Sequence, residues 1–313
     1  MSVSSDHVRS IWTQSDDARD EGLTTPEDIK RFDDIAYGED PMQVLDVYRP
    51  KELQGDLPVF VLVHGGGWVY GDKDRYQFYG MSMAQRGFAV INYSYRLAPE
   101  HKFPASLEDT CRVICWMLEN AQAYGLDTEH VFLAGDSAGA HLAGLFTSLC
   151  VNPDYAQHFG FSAPEGFRPT AVALNCGIYA PADDIDDVLD MSLEERDQIP
   201  YFDRILPEFM EDLLEDPRSG KLRSLIRVQD WICAKWPPVY LMTAHGDYLM
   251  EAAPAIAQRL EEVGVPCTYV VYASEDDPAY HDYHINVQDP VGQKANDDEA
   301  AYFHSFTQAV DPG

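Results

Sequence analysis

Apolar positions along this chain follow two rhythms. Over residues 57–63, 88–93, 130–134, 171–176, 239–243 and 267–272 they run on with hardly a polar break. Unbroken runs of that length predict strands buried on both faces. Over 107–123, 138–150, 252–263 and 297–309 they recur at helical spacing; Val113, Ile114, Trp116 and Met117 cluster on the first of these segments. Two shorter strand candidates, 32–37 and 44–48, flank the turn residues from Gly38 to Pro41. Buried strands alternating with amphipathic helices predict an α/β fold with a mostly parallel central sheet and helices on both faces.

Two stretches break the alternation. Residues 1–30 are polar and read as partly helical, with Thr25, Pro26, Glu27 and Asp28 resembling a helix start. Residues from about 180 to 236 show no clear strand. They carry acids at Asp183, Asp184, Asp186, Asp187, Glu194 and Glu195, then an amphipathic piece over 202–214. Long loops inside compact domains are usually functional, so this interval is read as a lid over the carboxyl ends of the strands. The whole chain, 1–313, is read as one domain.

Charge narrows the function classes. The formal net charge is −31, from 53 acidic against 22 basic side chains. A surface this acidic repels nucleic acid and anionic membranes, so neither is expected as a partner. It suits a salty cytoplasm or an ordinary acidic protein, and the second reading is adopted; a stability series in KCl separates them. The six cysteines (Cys111, Cys115, Cys150, Cys176, Cys233 and Cys267) show no CxxC pair or metal spacing and are expected as buried free thiols. The polar start, MSVSSDHVRSIWTQSDD, has no apolar signal core. No run of about 20 apolar residues is present to span a membrane. A reducing, cytoplasmic setting is the expectation.

The chemistry concentrates at strand ends. In VFLAGDSAGAHLAG, residues 131–144, Gly135-Asp136-Ser137-Ala138-Gly139 forms a G-x-S-x-G pattern between a strand and a helix. A turn that sharp strains the serine and presents its hydroxyl at the top of a sheet, above a helix N-terminus. The ordinary alternative is a glycine-rich strand–helix turn. Upstream, VLVHGGGWVYGD at 61–72 sets three glycines after a strand. Glycine is costly to order, so a run of them needs a reason. Bare backbone N–H groups that stabilise an oxyanion supply one, and Gly66, Gly67 and Ala138 are the candidate donors. His64 is read as shaping this loop. A phosphate-cradling loop would need a following Gly-Lys-Ser/Thr, which is missing.

A nucleophilic serine needs a base, and the base an orienting acid. On a sheet of this kind the chain order is Ser, acid, His. Asp247, in MTAHGDYLMEAA, falls just past a strand and before a helix, whereas Glu251 falls on the helix and the 183–187 acids in the insertion. After the last strand, YASEDDPAYHDYHINVQDP offers His281 and His284. His245, at an apolar strand end, is read as a core histidine. Trp231 and Trp236 fit either a pocket wall or the core.

HGGGW, then NYSYRLAPEHKFPASLED, then GDSAG resemble the hormone-sensitive-lipase-like branch of the α/β-hydrolases, which contains many bacterial carboxylesterases. The resemblance runs from about Ile35 onward and is most specific at Tyr95-Arg96-Leu97-Ala98-Pro99-Glu100 with Phe103-Pro104. It implies the α/β-hydrolase fold, a triad of Ser137, Asp247 and a late histidine, and oxyanion glycines at Gly66 and Gly67. Asp247-Tyr248-Leu249-Met250-Glu251 resembles the family's acid motif. The family's histidine is typically followed by Gly-Phe. Here Asp282-Tyr283 follows His281, keeping an aromatic residue two positions on, and this favours His281 over His284.

The expectation is therefore a serine carboxylesterase acting on short-chain, acetyl-like esters of small molecules, with no metal or organic cofactor. Related sequences include arylformamidases and carbohydrate deacetylases, and plant gibberellin receptors use the fold for binding after losing the histidine, so fold alone does not fix the reaction. Related esterases often dimerise, which leaves a homodimer open.

Overall fold

In the computed structural model, residues 3–181, 205–209 and 223–307 are described. The strands are β1 (Ile29–Ala36), β2 (Val44–Pro50), β3 (Leu57–Val63), β4 (Ala89–Tyr93), β5 (Leu126–Asp136), β6 (Ala171–Asn175), β7 (Val239–Ala244) and β8 (Cys267–Tyr272). They form one sheet in the order β1-β2-β4-β3-β5-β6-β7-β8. The β1–β2 and β2–β4 pairs are antiparallel and every later pair is parallel.

The helices are α1 (Val3–Arg19), α2 (Gln77–Gln85), α3 (Ala105–Tyr124), α4 (Ala138–Val151), α5 (Pro153–Ala156), α6 (Val228–Trp231), α7 (Ala253–Glu262) and α8 (Pro290–His304). β3, β4, β6 and β7 are buried almost throughout, because helices cover both sheet faces and leave no place for a polar alternation. The buried residues form two apolar clusters. One is centred on Val59, Val61, Leu133, Leu142 and Leu241, the other on Phe60, Phe88, Phe132, Met242 and Phe303. These alternate along the strands, as the period of two requires.

Some sequence expectations are corrected. Thr25 to Asp28 do not open a helix; the chain turns there and enters β1 at Ile29, where Ile29 N–H bonds the Pro26 carbonyl at 3.1 Å. The last helix begins at Pro290, because the Asp289 carboxylate caps it by accepting from Val291 and Gly292 N–H. Helix α2 has no counterpart in the periodicity, since Tyr79 through Ala84 are all buried and the polar face that would betray a helix is missing. Cys115 is exposed, on the outer face of α3, whereas Cys111 is buried. His245 is half-buried rather than a core residue.

Residues 182–204 and 210–222, the greater part of the interval read as a lid, lie outside the described residues. The piece 205–209 packs on the loop after β3: the Phe209 ring stacks on Trp68 at 4.3 Å. Trp236 is buried in the larger apolar cluster, and Trp231 packs on Tyr155 with ring centroids 4.8 Å apart. No described helix is long and apolar enough to cross a membrane.

Candidate active site

Ser137 sits between the end of β5 and the start of α4, with φ 51° and ψ −118°. The chain reverses so tightly there that the flanking Gly135 and Gly139 must lack a side chain. A Cβ on Gly135 would meet the Gly139 carbonyl oxygen at 2.4 Å, and one on Gly139 would meet the Val63 carbonyl oxygen at 2.0 Å. Ser137 N–H is anchored to the Asn175 carbonyl at 2.9 Å, tying the strained turn to the end of β6.

Asp247 emerges from the turn after β7 and His281 from the loop after β8. His281 Nε2 is 3.0 Å from Ser137 Oγ, and His281 Nδ1 is 2.8 Å from Asp247 Oδ1. Asp247 Oδ1 also accepts from Leu249 N–H at 2.9 Å, and its Oδ2 accepts from Thr243 Oγ at 2.8 Å. Burial pushes the Asp247 carboxyl up, but hydrogen bonds from His281, Leu249 and Thr243 outweigh it and hold the group below its ordinary value. An ionised Asp247 fixes the imidazole proton on Nδ1, leaving Nε2 free to accept from the serine.

His284 lies elsewhere. It is fully buried against the Tyr79 ring, and neither ring nitrogen has a hydrogen-bond partner among the described residues. Burial lowers its pKa to about 3, keeping it neutral. Glu251 is exposed on a short 3-10 turn.

Gly66 and Gly67 line the same cavity as Ser137, and Ala138 directly follows the serine as the first residue of α4. Gly66 has φ 101°, and a Cβ there would lie 2.2 Å from the Tyr70 carbonyl oxygen. The loop is held from behind. The His64 ring stacks on Tyr95 at 4.0 Å, and Tyr95 Oη donates to the His64 carbonyl at 2.9 Å. Ala98 N–H bonds the Trp68 carbonyl at 2.9 Å, and Arg96 is anchored on the buried Asp109 at 2.7 Å. The Tyr-Arg-Leu-Ala-Pro-Glu stretch thus serves as a bracket for the glycine loop. His64 Nδ1 bonds the Gly65 carbonyl at 2.7 Å, and burial lowers the pKa of this histidine to about 4.

Several participants carried no sequence signal. Tyr76 Oη accepts from Gly65 N–H at 2.9 Å and donates to Asp136 Oδ2 at 2.6 Å. Trp12, Ser15, Asp16 and Arg19 of α1 wall a cavity of about 440 Å³ in front of the serine, opposite Tyr280, Asp282 and Asn286. Cys176 Sγ, a His281 nitrogen and an Asp282 oxygen lie within 4.8 Å of one another. Burial pushes the Cys176 thiol well up, so it stays protonated and is a poor metal ligand.

A family model described as alpha/beta hydrolase fold matches residues 60–284. The chain is 34% identical over 151 residues to esterase LipC of Mycobacterium tuberculosis, covering 48% of this chain and 36% of that protein. It is 35% identical over 138 residues to carboxylesterase NlhH of the same organism, covering 42% and 43%. The match to isoprenylcysteine alpha-carbonyl methylesterase of Arabidopsis thaliana is 28% over 257 residues, covering 77% and 55%. These matches span less than two thirds of the relatives' own lengths. Among solved structures, esterase B of Lactobacillus rhamnosis superposes with a TM-score of 0.83 at 24% identity, covering 98% of this chain and 97% of that one, a likeness of fold. The chain belongs to the alpha/beta hydrolase fold family, and its esterase-named relatives agree with the hormone-sensitive-lipase-like branch.

Proposed function

We propose that this protein is a serine carboxylesterase that hydrolyses short-chain esters of small molecules through an acyl-enzyme. The observation that carries the reading is the continuous chain Ser137 Oγ, His281 Nε2, His281 Nδ1 and Asp247, beside the glycine loop in one cavity.

Ser137 Oγ attacks the ester carbonyl as His281 Nε2 takes its proton. Gly66, Gly67 and Ala138 offer backbone N–H groups to the oxyanion, each such donor lowering the barrier by about 3 kcal/mol. Collapse of the tetrahedral intermediate breaks the bond to the alcohol oxygen, which receives the proton from Nε2. Water then repeats the sequence on the acyl-serine, its proton going to Nε2 and on to Ser137 Oγ as the acid leaves. Asp247 stabilises the imidazolium formed in both halves.

The short-chain preference rests on the cavity wall. Asp16, Arg19, Asp282 and Asp289 interrupt its apolar surface, which a long acyl tail would need continuous. The lid reading of the 180–236 interval is supported by Ile205 and Phe209, which lie against Gly67 and Trp68. Six free thiols support a reducing, cytoplasmic setting.

The test is a p-nitrophenyl ester series from acetate to long acyl chains, with Ser137→Ala beside wild type. Activity highest on short chains and lost in the variant is expected. A variant that keeps wild-type turnover removes Ser137 from the mechanism.

A further inference from the structure

The residue after His281 departs from the family's glycine in a way that places a second carboxyl group beside the reacting atoms. Asp282 adopts φ 57°, a conformation open to Asp and Asn among side-chain-bearing residues at modest cost. One of its carboxylate oxygens, Oδ2, lies 3.2 Å from His281 Nε2. The other, Oδ1, is buried with no hydrogen-bond partner among the described residues. The side chain as a whole is 22% exposed and lines the cavity.

Among the described residues no lysine or arginine lies within ion-pair distance of this carboxyl group. His281, when it acts as the base, directs a lone pair and not a proton from Nε2. The carboxylates of Asp136, Asp247 and Asp16 also face Asp282 and, after burial, push its pKa further up. Arg19 acts against them, but its guanidinium is taken by Asp16 at 3.0 Å, Asp20 at 2.8 Å and the Arg75 carbonyl at 2.7 Å. A carboxyl group held in such a place keeps its proton in the absence of a cation, and a cation entering by the cavity would favour its ionised form.

The position says which part of a substrate would supply it. His281 Nε2 hands its proton to the departing alcohol oxygen, so a group beside Nε2 lies along the alcohol and not the acyl chain. The cavity rim adds ring faces. Tyr248 lies 4.4 Å from the His281 ring, and Tyr280 is 70% exposed at the mouth. Trp12 and Tyr70 stand on the α1 side. Aromatic faces around an uncompensated carboxylate suit an ammonium group.

We propose that the site selects esters whose alcohol carries a positive charge a few bonds from the ester oxygen, with Asp282 as the specificity-determining residue. This rests on the esterase reading. The test compares acetylcholine with its neutral carbon isostere, in which the ammonium nitrogen is replaced by carbon, so that the two esters differ in charge and not in shape. kcat/KM is measured for both in wild type and Asp282→Asn, a change that keeps the side-chain shape and tolerates the backbone conformation.

In wild type the cationic ester is expected to be favoured by about tenfold, and Asp282→Asn to bring the ratio toward one. A wild-type ratio of one or less, or a preference that survives in Asp282→Asn, overturns the assignment. Should the variant fail to fold, inhibition of wild-type p-nitrophenyl acetate hydrolysis by choline and by its carbon isostere decides instead. Tighter inhibition by choline is expected, and equal inhibition overturns the proposal. Hydrolysis of p-nitrophenyl acetate without a charge preference defeats this inference alone, whereas no hydrolysis of any ester defeats the esterase reading beneath it.

Discussion

Tyr76 and Asp136 share a hydrogen bond of 2.6 Å in a buried position, directly behind Ser137. The same phenol accepts the Gly65 N–H at 2.9 Å, so one side chain ties the residue before Ser137 to the residue before the glycine donors. The turn that strains the serine and the loop that would hold an oxyanion are set relative to each other through this phenol. Burial pushes the Asp136 carboxyl up to about 7 even with the bonds from Tyr76 and Gly65.

Tyr76→Phe removes the donor to Asp136 and the acceptor of Gly65 together. Leaving buried polar groups unpaired costs about 1–3 kcal/mol each, so a lower urea midpoint is expected. Because the phenol sets the glycine loop against the serine, kcat on a short ester should fall roughly tenfold with a smaller change in KM. An unchanged kcat beside a lower midpoint would confine Tyr76 to stability.

His281 and His284 lie close together in the loop after β8, His284 on a short 3-10 turn, but only His281 reaches both Ser137 and Asp247. His281→Gln is expected to lower kcat by about a thousandfold or more, leaving whatever the oxyanion donors alone supply. His284→Phe replaces a neutral, buried ring with another ring beside Tyr79 and should keep activity within a few-fold of wild type. Paired steady-state kinetics on one ester distinguish the two, and comparable losses in both variants would unseat His281 as the base.

Much of this arrangement was legible because Ser137 and Asp247 stand just past apolar runs and His281 lies in the loop that follows the last one. The ends of β5, β7 and β8 show in the hydrophobic pattern, and Ser137, Asp247 and His281 follow them in the order the chemistry needs. β3 coincides with its apolar run because Asp56 and His64 border it; β8 matches its run in extent but, as the edge strand, leaves Tyr269 and Val271 exposed instead of buried on both faces as the run predicts. What was hidden is tertiary. Tyr76 and Thr243 act through partners distant in sequence or through a single hydroxyl, and no local pattern distinguishes them from neighbours. Residues 1–30 read only as polar and partly helical, yet four side chains of α1 face the cavity. A polar helix face that points into a substrate cavity and one that points into water look alike in a sequence. Asp282 was visible only as a missing glycine; its carboxyl group gained meaning once its oxygen was found beside His281 Nε2.

Gly66→Ala tests the glycine loop. With φ 101° and the Tyr70 carbonyl oxygen 2.2 Å from the new Cβ, the backbone must move. A displaced oxyanion donor costs about 3 kcal/mol in the barrier, so kcat should fall on the order of a hundredfold. Gly67→Ala meets the flexible end of Ile205 instead and should cost less, even though its φ of 57° also strains alanine. The order of the two losses, read as kcat on a short ester, is the measurement; a milder Gly66→Ala would argue that the loop's position there is not tied to the reaction.

A buried acid away from the reacting atoms predicts how stability responds to pH. Glu299 is fully buried, accepting from Asn175 Nδ2 at 3.1 Å, with its Oε1 unpaired among the described residues. Burial raises its pKa from the ordinary 4.5 to about 8, despite the bonds from Asn175 and Tyr79. The folded chain therefore holds this proton more tightly than the unfolded chain. Below about pH 4.5 both states are protonated and the contribution is complete. As pH rises from there the unfolded chain loses its proton first, and stability falls by up to about 1.4 kcal/mol per pH unit until the folded group ionises near pH 8. Glu299→Gln keeps the shape and one acceptor but removes the proton difference. Urea midpoints at several pH values between 5 and 8 should decline more steeply in wild type than in the variant. Asp136, raised in the same sense, leaves a residual decline in both. Parallel curves would mean that Glu299 is already ionised in the folded protein, and a cation or bound water must then satisfy it.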